Sequence, residues 1–126
     1  MEMKLELVPV PVSDVDRARA FYVEQVGFHL DHDVQPGNGM RVVQLTPPGS
    51  ACSIVIGTGL GEISEMQPGS IKALHLVVDD IHKAREALDD RGVEVGQVVD
   101  LGGIKYVSFS DPDGNSWLLQ EMPAHK

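Results

Sequence analysis

The chain has 126 residues, 42% hydrophobic and 23% charged, a balance that suits a single globular domain with a real core. A formal net charge of −9 repels phosphate backbones and argues against a nucleic-acid partner. One cysteine, Cys52, rules out an intrachain disulfide; no apolar run reaches membrane-spanning length, and the opening MEMKLELVPV lacks the basic stretch and apolar core of a signal peptide. Together these features predict a cytoplasmic protein with no membrane partner.

Residues 5–12 alternate apolar positions and are rich in valine, which predicts a strand. Ser13 or Asp14 can cap a following helix, because a short oxygen side chain accepts a bond from the free amides of the first turn. Val15, Ala18, Phe21 and Tyr22 recur at helical spacing, and Gly27 can end that helix in a left-handed conformation. The segment His29-Leu30-Asp31-His32-Asp33 looks metal-like. As a regular strand it places His29, Asp31 and Asp33 on one face and Leu30 with His32 on the other. Parallel side chains on one strand do not converge on an ion, so a solvated edge strand blunted by charge is expected. Gln35-Pro36-Gly37-Asn38-Gly39 is turn chemistry between two strands. Cys52 has no basic or histidine neighbour in sequence and reads as an inert thiol near the start of a strand.

The glycine-rich stretch GTGLGEISEMQPG, within residues 57–70, lacks the spacing of a nucleotide-binding loop and reads as a flexible connector. Beyond it the first pattern returns. Leu74, Leu76 and Val78 match Val8, Val10 and Val12. Asp80-Ile81-His82-Lys83-Ala84-Arg85 matches Asp14-Val15-Asp16-Arg17-Ala18-Arg19, and Gly92-Val93 matches Gly27-Phe28. In this second copy Asp79 or Asp80 caps the helix, Ile81, Ala84, Ala87 and Leu88 line its face, and Gly92 stops it. Val107-Ser108-Phe109-Ser110-Asp111-Pro112 matches Val43-Gln44-Leu45-Thr46-Pro47-Pro48, and Asp111-Pro112-Asp113-Gly114 is a hairpin turn. Self-similarity on this scale means a duplicated unit. Each copy reads as strand, helix, then three strands: residues 5–56 and 71–122 of one domain spanning 1–126. His125 falls in a tail expected to be disordered.

PVSDVDRARAFYVEQVGF and FSDPDGNSWLLQ, in register with the duplication, resemble the vicinal oxygen chelate superfamily. That superfamily includes glyoxalases, extradiol dioxygenases and bleomycin-resistance proteins. The resemblance implies an α+β fold of two βαβββ modules, whose curved mixed sheets close around a cavity. It also implies a homodimer, in keeping with the apolar surface that an open curved sheet exposes. Catalytic relatives hold a divalent metal on the first and last strands of each module. The resemblance places those positions at Leu7 and Ala73, at Leu118, and at Ile54 or its neighbour. None of these side chains carries a metal donor, which predicts no metal and no cofactor.

Strand parity then defines the cavity wall that the resemblance implies. The first half supplies Leu7, Pro9, Met40, Val42 and Gln44, with Thr46 beyond them. The second supplies Ala73, His75, Tyr106, Ser108, Leu118 and Gln120, while Trp117 alternates away and packs under a helix. An apolar wall with sparse polar groups is how small-molecule sites are built. His75 is then a ligand hydrogen-bond partner, a histidine satisfied by protein groups, a displaced metal ligand or a general base, and the sequence leaves these open. The expected function is metal-free binding of a hydrophobic or aromatic small molecule, without chemical change, in the manner of a bleomycin-resistance protein that sequesters an antibiotic. The alternative is a glyoxalase-like lyase, an isomerase or a dioxygenase with an atypical site, metal-dependent or not.

Overall fold

A computed structural model describes residues 1–123. The strand-helix-strand-strand-strand order occurs twice. Strand β1 (Leu7–Pro9) leads into helix α1 (Val15–Ala20), whose last turns widen to π geometry over Phe21–Val26. Strands β2 (His29–Gly37), β3 (Met40–Thr46) and β4 (Ser53–Thr58) complete the first module. After a 3-10 turn at Gly61–Glu65 come β5 (Leu74–Val77), α2 (Ile81–Asp90), β6 (Val99–Leu101), β7 (Ile104–Ser110) and β8 (Ser116–Glu121). The sheets have orders β1-β4-β3-β2 and β5-β8-β7-β6, each with one parallel pair and two antiparallel pairs, and neither closes into a barrel. The strand β2 runs on to Gly37, so only Asn38 and Gly39 remain of the expected longer turn.

The helix ends follow local chemistry. Asp14 accepts the amide of Arg17 at 3.1 Å, and Asp80 accepts those of His82 and Lys83 at 3.1 Å each. Gly27 stops the first helix at φ +94°, where its amide and that of Phe28 both bond the Tyr22 carbonyl. Of the expected face of α2, Ile81 and Leu88 are buried while Ala87 is exposed.

One core serves both modules. Tyr22 and Phe21 of the first helix meet Trp117 and Phe109 of the second sheet, with ring centroids 5.8 and 6.4 Å apart. The helix-side faces of both sheets therefore point into shared packing, and the opposite face of each sheet is turned away from it. Trp117 sits in this core as its alternation predicts.

The Asp-Pro-Asp-Gly-Asn turn joins the two modules. Asp111 is buried; its Oδ1 accepts the amides of Asp113 and Asn115, and its Oδ2 accepts the Tyr22 hydroxyl at 2.8 Å and the Asn115 side-chain amide. The Tyr22 oxygen in turn accepts the Trp117 indole N–H at 3.0 Å. Asn115 also donates to the Pro11 carbonyl and accepts the Ile71 amide, and Ser13 bonds Asp113 through both its amide and its hydroxyl. Burial, with the Asp111 carboxylate beside it, pushes the Tyr22 phenol far above its ordinary range. The connector seats against this turn at Gly69, where a Cβ would lie 2.1 Å from the Asp113 carbonyl oxygen.

Candidate functional site

The outward faces of the sheets carry most of the wall expected from sequence. On the first sheet, Leu7 neighbours Ser53, whose hydroxyl meets that of Thr46, and Thr46 lies opposite His29. The next row runs Pro9, Val55, Gln44, His32, and the one after pairs Val42 with Val34, with Met40 opposite Gly37 at the hairpin end. On the second sheet, His75 neighbours Leu118, which lies opposite Ser108. Val77, Gln120, Tyr106 and Val99 form the next row. His75 and Tyr106 meet edge to face, with centroids 6.0 Å apart.

Each half-wall is thus brought together on its own sheet. Five surface hollows hold at most one each of the eleven predicted wall residues. His75 borders a hollow of about 210 Å³ between the modules, beside Leu5, Cys52 and Ser53. The second half-wall is strongly apolar and open: Val77 is 69% exposed, Leu101 62% and Val99 49%.

Two expectations need correction. Ala73 does not share the strand face of His75. It precedes β5 in a left-handed conformation (φ +59°), with its amide on Ser116 Oγ and its carbonyl turned to His75 Nδ1 at 2.7 Å. The position left open at Ile54 or its neighbour falls to the neighbour: Ile54 pairs with Val8 and is buried in the core, and Val55 takes the outward place opposite Gln44, because the loop between β3 and β4 is longer by one residue than the turn between β7 and β8. The second correction is in β2, where a register shift between Leu30 and His32 breaks the alternation. Asp31 and His32 consequently both lie toward Gln44 and Thr46, whereas Asp33 lies on the helix side and pairs with Arg41 and Arg19.

This bulge builds a polar corner that the sequence did not disclose. Asp31 Oδ2 accepts the Thr46 hydroxyl and, at 3.2 Å, the Gln44 amide. Thr46 has given its one hydrogen to the carboxylate, so the Ser53 hydroxyl, 2.6 Å away, donates to Thr46 Oγ1. Ser53 is 5% exposed. The Thr46 bond holds the Asp31 carboxyl below the usual carboxylate range. On the other sheet a carbonyl can only accept, so His75 Nδ1 carries a proton toward Ala73.

The donor set does not fit a metal. With the register settled, the four superfamily positions hold Leu7, Val55, Ala73 and Leu118, none with a donor atom. Among the described residues, no three His, Cys, Asp or Glu side chains gather in a group that could hold an ion. No described helix is long and apolar enough to cross a membrane.

Paired βαβββ modules with outward half-walls define a class. Residues 4–119 match the family model of the Glyoxalase/Bleomycin resistance protein/Dioxygenase superfamily, and the chain belongs to that superfamily. Among solved structures it is similar to TnmS3, an antibiotic binding protein from Streptomyces sp. CB03234: 38% identity, 96% of this chain and 97% of that one, TM-score 0.84. A glyoxalase/bleomycin resistance protein from the same Streptomyces strain is 40% identical over 92% of this chain and 98% of its own, with a TM-score of 0.78. The uncharacterized protein YetH of Bacillus subtilis (strain 168) is 30% identical over 96% of this chain and 100% of its own.

Proposed function

We propose that this protein binds a hydrophobic, partly aromatic small molecule, an antibiotic in the first instance, and releases it unchanged. The observation that carries the reading is the pair of outward half-walls, apolar with a few fixed polar groups. Similarity to an antibiotic binding protein over nearly the whole chain supports the ligand class. The cup is completed by a second copy: a homodimer sets the first half-wall of one protomer against the second half-wall of its partner and covers Val77, Val99 and Leu101. By two-fold symmetry this yields two equivalent cups, one ligand per chain. Affinity comes from apolar ligand surface removed from water, at ~25 cal/mol per Å², less the cost of immobilising the ligand. Leu, Val, Ala and Leu at the metal positions favour binding without metal or cofactor. Protection of a cell would then be stoichiometric, limited by the amount of protein.

Calorimetric titration of the purified protein with bleomycin and with neutral aromatic antibiotics, followed by mass spectrometry of the recovered ligand, tests this. Saturable binding near one ligand per chain, with intact ligand returned, is expected. Turnover that depends on an added divalent metal would replace the reading with an enzymatic one.

A further inference from the structure

We infer that Asp31 selects the chemical class of the bound molecule: an aromatic body bearing a cationic amine or another strong hydrogen-bond donor, with anions rejected. The inference rests on the ligand-binding reading above and makes it more specific.

The bulge in β2 turns Asp31 toward Thr46 and Gln44, on the outward face of this exposed edge strand. One carboxylate oxygen is tied down by Thr46, which is itself held by the buried Ser53 hydroxyl, so the group is fixed in place. The other oxygen, Oδ1, with His29 Nε2 standing 3.7 Å away and beyond hydrogen-bond reach, accepts no hydrogen bond among the described residues. It is a fixed, ionised acceptor with an open valence.

No lysine or arginine stands in the registered rows of either half-wall. Lys105 lies across from Glu121 and Arg41 from Thr58, both on the alternate parity. Asp31, the residue that the bulge adds beside these rows, brings a formal negative charge to them. A ligand that covers the wall strips water from its carboxylate. An unmatched buried carboxylate costs free energy, whereas a donor, above all a charged one, restores its lost bond. An anionic ligand would meet the Asp31 carboxylate at short range, with no lysine or arginine of these rows to balance it.

Three anthracene-sized fluorescent probes test this at neutral pH: aminoacridine as the cation, anthracenemethanol as the neutral form and anthracenecarboxylate as the anion. They are titrated against the wild-type protein and against Asp31→Asn, which keeps the shape and removes the charge. Asp31 lies outside the core on an edge strand, and the far-ultraviolet circular dichroism of the variant is recorded beside the titrations. The expected order for wild type is cation over neutral over anion. Asp31→Asn should weaken aminoacridine by about fivefold to tenfold, the low end for a charge-assisted bond in a half-open site, and change anthracenemethanol by less than about twofold. Equal weakening of all three probes, or an unchanged preference for the cation, would overturn the role of Asp31 while leaving the ligand-binding reading intact. Failure of all three to bind the wild-type protein would remove that reading, and this inference with it.

Discussion

Removing a single oxygen, in Tyr22→Phe, should destabilise the protein by about 2–3 kcal/mol. The ring stays, so no cavity larger than one atom opens. Two bonds disappear from a site with no exposure: the donation to Asp111 Oδ2 at 2.8 Å and the acceptance from Trp117 Nε1 at 3.0 Å. The indole N–H is left without a partner in the core, at about 1–2 kcal/mol. Asp111 keeps three of its four donors, the amides of Asp113 and Asn115 and the Asn115 side chain, so its share is smaller, about 1 kcal/mol. At about 2.1 cal/mol/K of unfolding entropy per residue, each kcal/mol is worth about 4 °C in a chain of this length, so the melting temperature should fall by about 8–12 °C. Trp117 is the chain's single tryptophan, so its fluorescence reports on this junction during urea unfolding. Protein concentration is held constant, because dimer formation would make the midpoint concentration-dependent. A loss below about 0.5 kcal/mol at unchanged urea sensitivity would refute the claim that this hydroxyl ties module one to the Asp-Pro-Asp-Gly-Asn turn.

Further outcomes follow from the two faces and from the ion pairs behind them. His75→Ala should weaken probe binding while leaving stability within about 0.5 kcal/mol, since His75 is exposed and its ring bonds only its own neighbourhood; a large stability loss with unchanged binding would make it a structural residue. Val77→Lys puts a charge on the apolar surface of the second half-wall, at its β5 edge; sedimentation should show a monomer with no probe binding, and a persistent dimer would contradict the cup. Asp33 is held below the usual carboxylate range by the Arg41 guanidinium. Its folded value is depressed, so its contribution is complete above an unfolded value of about 4 and is lost as pH falls through the lower folded value. The stability difference between wild type and Asp33→Asn should therefore shrink toward acid, and a gap that stays constant from about pH 6 down to pH 2 would rule this out.

What could be read from sequence was local or periodic. The repeat announced two equal modules because each copy must place its cap, its helix face and its glycine stop at the same spacing. Asp14, Asp80 and Gly27 do what backbone chemistry requires of them wherever the chain goes next. Alternation likewise assigned most strand faces, so Leu7, Gln44, His75, Tyr106 and Leu118 lie on outward faces while Trp117 lies inside.

Alternation holds only while the ladder is regular, and the tertiary structure decided where it is not. One extra residue in β2 moved Asp31 to the wall and Asp33 behind it. One extra loop residue exchanged Ile54 for Val55, and a left-handed Ala73 turned its carbonyl to His75. A one-residue shift reverses a strand's faces yet leaves composition and spacing almost unchanged, so no local signal marks it. The joining of the modules through Tyr22, Asp111 and Asn115 was equally hidden, because those bonds cross most of the chain. By itself the sequence determined the duplicated fold and put apolar side chains at Leu7, Ala73 and Leu118, three of the places where the resemblance implies metal ligands. Only three-dimensional packing decided which charge lies on the outward face of the first sheet, because the partners that hold Asp31 come from strands it meets only when the sheet has formed.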